Sequence, residues 1–166
     1  DLVARIYHYR EITGAALDPT AAYLLLRGMK TLQLRIERQG RSALAIARHL
    51  GGHPAVARVH YPGLDTDPGH AVARKQMRGF GGIVSFELIG GVEAMRRALP
   101  RLRYAHRAAN LGSVETVVGP PSTTSHVEAT AEEREAAGIP EGLVRYSAGI
   151  EDPEDLIADL DQALGG

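Results

Sequence analysis

Residues 79–91, GFGGIVSFELIGG, contain the segment that decides the fold of this protein. Residues 83–88 are rich in β-branched and aromatic side chains and are bordered by a pair of glycines on each side, a pattern typical of a β-strand. The glycines of residues 79–82 also resemble a phosphate-binding loop. Such a loop follows a strand and opens a helix, however, whereas these glycines precede a strand. We therefore interpret them as close backbone packing at the entry to the strand.

Strands and helices alternate on both sides of this segment. Residues 56–61 and 143–147 have the short, β-branched pattern of strands, and residues 114–118 are expected to form a strand or an extended segment. Helices are predicted over residues 69–78 and 92–99. This order indicates a two-layer α/β sandwich in which helices pack on a small sheet. We expect this sheet to be mainly antiparallel.

Two more helices are predicted near the end of the sequence. Thr130 and Glu133 form a T-x-x-E capping box, and Gly138 is expected to end the short helix that follows. Asp152 and Pro153 have the residue types that open a helix, and apolar residues recur on one face of the segment after them.

The first third of the chain is predicted to be helical. Within residues 43–50 apolar side chains recur at i, i+3, i+4 and i+7, and the glycines of residues 51–52 end the pattern. Asp18-Pro19 is expected to divide this region into two helices, because proline is tolerated at the first helical position. We expect a helical segment over residues 1–52 and an α/β domain over residues 53–166.

The composition argues against several classes of function. A formal net charge of −1 provides no broad positive field for nucleic acid, and we interpret Arg101, Arg103 and Arg107 as a solvated surface. The lack of cysteine excludes disulfides and thiolate nucleophiles and is compatible with a reducing compartment, so we expect a cytoplasmic location. No apolar run approaches the roughly 20 residues that span a bilayer, and we expect no membrane partner. The sequence begins without methionine or a signal-peptide pattern, and we expect it to be a piece of a longer protein.

Most side chains that could perform chemistry lack a catalytic context. The seven histidines include no H-E-x-x-H pair, so no metal site is predicted, and Ser113 and Ser147 have no G-x-S-x-G context. Lys30 and Lys75 lack the apolar surroundings that Schiff-base chemistry requires. His126 lies in a hydroxyl-rich stretch, where it could belong to a site or simply orient the backbone.

Arg145 is the most informative residue. It places a guanidinium inside the otherwise apolar predicted strand of residues 142–147, GLVRYS, where an unpaired charge would be costly. It therefore needs an anionic partner. One interpretation is a structural ion pair with an aspartate or glutamate, and the other is a fork that binds the carboxylate of a ligand through two parallel hydrogen bonds.

Six sequence blocks resemble one family, in order and with family-like gaps. They are residues 27–35 (RGMKTLQLR), 60–64 (HYPGL), 79–87 (GFGGIVSFE), 111–116 (LGSVET), 138–145 (GI and GLVR) and 149–157 (GIEDPEDLI). The family is the pyridoxal-phosphate enzymes of Cys/Met metabolism, or transsulfuration, typified by cystathionine γ-synthase, cystathionine γ-lyase and methionine γ-lyase. The resemblance implies the C-terminal domain of a fold-type I pyridoxal-phosphate enzyme.

The resemblance also implies a substrate-binding set. Arg145 matches the family arginine that binds the α-carboxylate of the amino-acid substrate. Asn110 stands where the family has a serine that contacts this carboxylate or the Schiff-base lysine, and Ser125 with His126 matches a Thr-His dipeptide. Asn110 is a departure from the family pattern, although its amide still donates and accepts hydrogen bonds.

The resemblance assigns no catalytic or cofactor-binding residue to this chain. The Schiff-base lysine and the groups that hold pyridoxal 5'-phosphate in the family all precede the first residue, so the chain alone is expected to be inactive. Residues 1–52 would connect to an N-terminal pyridoxal-phosphate-binding portion, and the parent enzyme would be a homotetramer.

The reaction implied for the parent enzyme is γ-elimination or γ-replacement on a sulfur-containing or O-activated amino acid. Two alternatives come from other classes of protein. One is a non-catalytic domain that binds an amino acid or regulates a partner, and the other is a truncated fragment that keeps only the fold.

Overall fold

The structure is a computed structural model, and it describes residues 1–165. The helices of this part of the chain are α1 (Leu2–Thr13), α2 (Pro19–Met29), α3 (Leu32–Gly51), α4 (His70–Gln76), α5 (Gly91–Ala98), α6 (Ala131–Ala136) and α7 (Pro153–Leu164). The strands are β1 (Val56–His60), β2 (Ile83–Leu88), β3 (His106–Arg107), β4 (Val117–Gly119) and β5 (Leu143–Ser147). Leu99–Arg101 and Pro121–Thr123 form short 3₁₀ turns.

The helix boundaries follow from side-chain caps that are visible in the sequence. Asp18 accepts hydrogen bonds from the backbone N–H groups of Thr20 and Ala21, which confirms the predicted start of α2. In the capping box of α6, Glu133 accepts from the backbone N–H of Thr130 at 2.8 Å, and the Thr130 hydroxyl accepts from Glu133 at 3.2 Å. The break between α2 and α3 was not predicted.

The sheet is small and mainly antiparallel, as the sequence predicted. Its strand order is β1-β2-β5-β4-β3, and only the short β3–β4 pair is parallel. Strand β5 therefore lies at the centre, where Arg145 is paired with Ser85 of β2 on one side and with Gly119 of β4 on the other. Arg145 therefore lies on a strand that has a paired neighbour on each side.

One face of the sheet packs against helices to form the core. Alternate residues of β2 are buried, and Val144 and Tyr146 of β5 lie opposite them on the same face. Helices α3, α5 and α7 contribute buried residues to the same cluster, including Ile46 of α3 and Leu160 of α7. This arrangement confirms the two-layer α/β sandwich.

Two units can be separated within the described residues, one over residues 1–34 and one from Arg35 onward. Their boundary lies inside α3, which continues to Gly51. The division predicted after residue 52 coincides with the end of this helix and stays a prediction. None of the helices in residues 1–165 is long and apolar enough to cross a membrane.

Burial of Tyr61 should make the fold sensitive to alkali. Only 1% of this residue is exposed, and burial raises the pKa of its phenol to about 12. The unfolded phenol has a pKa of about 10, so the stabilisation from the neutral buried phenol is complete below pH 10 and is lost as the pH rises from about 10 to 12. We expect about 2 to 3 kcal/mol of unfolding free energy to disappear over this window because of Tyr61.

Urea titrations at several pH values test this expectation with Tyr61→Phe. The variant loses hydrogen bonds to the backbone carbonyls of Gly40 and Gly81, so it should be less stable at neutral pH but should lose less stability above pH 10. Tyr104→Phe, at an exposed tyrosine, is the matched control and should follow the wild type. Equal alkaline slopes for Tyr61→Phe and the wild type would contradict the expectation.

Candidate functional site at Arg145

Arg145 lies on the face of the sheet opposite the helical core. Its neighbours in the strand, Val144 and Tyr146, are fully buried on the core face, while Arg145 alternates to the other side and is partly exposed. Burial raises the pKa of the Tyr146 phenol, and the carboxylates of Asp159 and Glu151 raise it further, so this phenol stays neutral. Among the side chains of β5, the guanidinium of Arg145 is therefore the group best suited to bind an anion.

The guanidinium of Arg145 is fixed by backbone carbonyls. Its Nη2 donates to the carbonyl oxygens of Ala109 and Asn110, at 3.0 and 3.1 Å. Its Nε is buried and has no acceptor within residues 1–165, and no carboxylate of these residues lies within 4.0 Å as an ion-pair partner. The structural ion pair that we considered is therefore not found in the described part of the chain, and the group is oriented with donor capacity left for an anion.

Residues 109–116, here called the 109–116 loop, bring Asn110 to this guanidinium. The backbone carbonyl of Asn110 accepts from Arg145, and its side-chain Oδ1 accepts from the Leu111 N–H at 2.8 Å. This contact commits the amide oxygen and leaves the Nδ2 hydrogens as donors. Two of the three predicted substrate-binding residues are thus neighbours.

Ser125 lies apart from this pair. Its hydroxyl is 2.9 Å from Nδ1 of His126, both residues are exposed, and the His126 N–H donates to the carbonyl of Pro121 at 2.8 Å. Within residues 1–165 no hydrogen bond joins Ser125 to Arg145 or Asn110. The structure therefore brings Arg145 and Asn110 together and places Ser125 with His126.

Three residues that hold the site were missed in the sequence. Ser147 accepts a hydrogen bond from the Gly112 N–H at 3.0 Å, and Glu151 accepts from the backbone and the hydroxyl of Thr116 at 2.6 and 2.8 Å. The only signal for Glu151 and Thr116 was their place in two of the family-like blocks. A glutamate or a threonine in a sequence does not, on its own, indicate that the two side chains form a hydrogen bond with each other.

The lysines of this chain do not fit the attachment of pyridoxal phosphate. Lys30 follows α2 and Lys75 lies in α4, and both are exposed, whereas a Schiff-base lysine needs a protected environment. Within residues 1–165 no group of three or more histidine, aspartate or glutamate side chains could hold a metal ion. We therefore assign no contact with a cofactor to these residues.

Comparison with known proteins gives one consistent result. The family model described as Cys/Met metabolism PLP-dependent enzyme matches residues 1–165. L-methionine gamma-lyase of Fusobacterium nucleatum subsp. polymorphum is 48% identical over 160 residues, which are 96% of this chain and 40% of the relative. The chloroplastic cystathionine gamma-synthase 1 of Arabidopsis thaliana is 44% identical over 163 residues, or 98% of this chain and 29% of the relative.

A solved structure agrees with these relatives. The crystal structure of a cystathionine gamma-lyase from Micromonospora echinospora is 41% identical and superimposes with a TM-score of 0.91, covering all of this chain and 43% of that one. The chain thus spans less than half of the length of each of these relatives. The family model that matches residues 1–165, together with these relatives and the solved structure, shows that this chain belongs to the family of Cys/Met metabolism enzymes, whose cofactor is pyridoxal 5'-phosphate.

Proposed function

We propose that this chain is the C-terminal portion of an enzyme that performs γ-elimination or γ-replacement on a sulfur-containing or O-activated amino acid. The observation that carries the proposal is the geometry of Arg145. Its guanidinium is anchored by two carbonyls and retains a buried Nε–H without an acceptor in residues 1–165. A carboxylate is the ligand group that matches these planar donors best.

Each proposed substrate-binding residue has its own support. For Arg145 it is the free donor capacity, and for Asn110 it is the Nδ2 group left available beside the guanidinium. Ser125 is supported by its place in the chain: it lies in the segment that follows β4, and Gly119 of β4 is paired with Arg145. Together these residues would bind the α-carboxylate and orient the substrate, which lowers the entropic cost of the reaction.

The proposal also explains why the chain alone would not catalyse the reaction. Pyridoxal phosphate supplies an electron sink when it is bound by a protein, and the only lysines in this chain are exposed. We place the attachment lysine in an N-terminal portion, to which residues 1–52 connect. The α/β domain of residues 53–166 would then contribute the binding of the substrate carboxylate.

Exposed apolar side chains support an assembly with further protein. On α2, Leu24, Leu25 and Leu26 are 59, 59 and 63% exposed, and α1 exposes several more large apolar side chains. A surface of this kind normally marks contact with other protein. We propose that the N-terminal portion and neighbouring subunits of a homotetramer cover it. The proposal includes a cytoplasmic location, with which a chain free of cysteine is compatible.

One experiment on the protein that contains this chain tests the proposed function. The purified protein should show the visible absorption of bound pyridoxal phosphate and should release a thiol and an α-keto acid from methionine or cystathionine, or exchange the γ-substituent for a thiol. Absence of both activities in a cofactor-loaded protein would refute the proposal. Binding of an amino acid by residues 1–166 alone, without any turnover by the cofactor-loaded protein, would support the non-catalytic alternative.

A further inference from the structure

We propose that Glu151 is a positioning residue that fixes the 109–116 loop and thereby sets the position of the Arg145 guanidinium. The inference rests on the proposed function, since it concerns the group that would bind the substrate carboxylate. Its basis is a set of hydrogen bonds between segments far apart in the sequence.

The loop is tied to the guanidinium at its start. The carbonyls of Ala109 and Asn110 accept hydrogen bonds from Nη2 of Arg145. The nearby Gly112 N–H donates to the hydroxyl of Ser147, which lies on β5 like Arg145. A displacement of this part of the loop therefore changes the acceptors that orient Arg145. The position of the guanidinium therefore depends on the position of the loop.

The loop is tied to Glu151 at its end. Both carboxylate oxygens accept hydrogen bonds from Thr116, Oε1 from the backbone N–H at 2.6 Å and Oε2 from the hydroxyl at 2.8 Å. The same Thr116 hydroxyl accepts from the Gly149 N–H at 2.9 Å, and the Val114 carbonyl accepts from the Ile150 N–H at 2.9 Å. Hydrogen bonds to an ionised carboxylate are stronger than neutral ones, so this end is held firmly.

Helix α3 secures both Glu151 and the middle of the loop. Arg38 donates from Nη2 to the Glu151 carbonyl at 3.0 Å and lies 3.6 Å from the Asp152 carboxylate. Gln39, which is 2% exposed, donates from Nε2 to the Ser113 carbonyl at 2.7 Å. Residues 109–116 form neither a helix nor a strand, so these contacts, together with the backbone hydrogen bonds from Ile150 to Val114 and from His106 to Thr116, limit the conformations of the loop.

The test uses Glu151→Gln in the cofactor-loaded protein that contains this chain. We expect the KM for the amino-acid substrate to rise about tenfold while kcat changes by less than about twofold, because a displaced guanidinium weakens binding of the substrate and transition state alike. Thr116→Val should behave in the same way, and Thr116→Ser, which keeps the hydroxyl, should restore the wild-type KM. Backbone amide exchange of residues 111–116, followed by mass spectrometry, should accelerate at least about tenfold in Glu151→Gln.

Asp159→Asn is the matched control. Asp159 is another carboxylate that accepts hydrogen bonds from backbone N–H groups, those of Arg103 and Tyr104, but within residues 1–165 it makes no hydrogen bond to the 109–116 loop. The Asp159→Asn variant should be less stable than the wild type, but its KM and the amide exchange of its loop should be unchanged. The positioning role is overturned if Glu151→Gln and Asp159→Asn show the same KM and the same loop exchange.

If the wild type does not act on γ-substituted amino acids, the proposed function fails, and the exchange experiment alone still decides whether Glu151 holds the loop.

Discussion

Replacing Arg145 by lysine in the protein that contains this chain should raise the KM for the amino-acid substrate by about 10² to 10³, which corresponds to about 3 to 4 kcal/mol of binding free energy. Lysine keeps the positive charge but cannot bond to Ala109 and Asn110 while offering two parallel donors to a carboxylate. The bound cofactor should remain, since no cofactor contact is assigned to Arg145. Steady-state kinetics and the visible absorption of the cofactor measure the two effects.

Arg134→Lys provides the control for this substitution. Arg134 is also an arginine with a fixed partner, Glu141 at 2.7 Å, but it lies on α6 and makes no hydrogen bond to the 109–116 loop within residues 1–165. Its replacement should leave KM within about twofold, because lysine keeps the charge that faces Glu141. An unchanged KM for Arg145→Lys would remove Arg145 from the substrate site.

Gly149→Ala should destabilise the fold by about 3 to 5 kcal/mol, which is the range of severe steric substitutions in a packed interior. A Cβ at this position would lie 2.3 Å from Oε2 of Glu151, 2.3 Å from the Val114 carbonyl and 2.7 Å from the Glu115 carbonyl carbon. Two of these atoms belong to the backbone, so the clash cannot be relieved by rotating a side chain. The midpoint of urea unfolding measures the loss.

Gly79→Ala separates this clash from the general effect of replacing glycine. A Cβ at Gly79 would meet nothing within 4 Å, and neither glycine has a positive φ. The unfolding free energy of Gly79→Ala should therefore stay within about 0.5 kcal/mol of the wild type, as for an ordinary surface substitution. Equal effects of the two substitutions would show that the loop moves to accommodate a side chain at Gly149.

The sequence predicted those parts of the fold that are encoded over a few neighbouring residues. Strand β2 occupies the predicted residues 83–88, and the caps of α2 and α6 lie where Asp18 and Thr130 were expected to place them. These features depend on local patterns of side chains, so one segment carries enough information. The short apolar pattern of residues 143–147 also predicted that Arg145 lies on a strand, and β5 confirms this prediction.

The rest could not be predicted because its causes are distant in the sequence. Strand β4 begins at Val117 and not at Val114, where the Val114 carbonyl accepts from the Ile150 N–H and the Thr116 N–H donates to the Glu151 carboxylate. Strand β3 has only two residues, both exposed, and has no hydrophobic pattern to reveal it. The acceptors of Arg145 are backbone carbonyls 35 and 36 residues away. Every residue has such a carbonyl, so the residue types do not predict which ones accept from Arg145.

Successive side chains of β5 lie on opposite faces of the sheet, so substitutions at adjacent positions have different consequences. A substitution at Val144 or Tyr146 must fit the packing of the helical core, whereas one at Arg145 would change the proposed binding of a carboxylate and leave that packing unchanged. New specificity can therefore arise on one side of the strand without a loss of folding on the other. A scaffold built in this way can diversify its ligands while keeping its architecture constant.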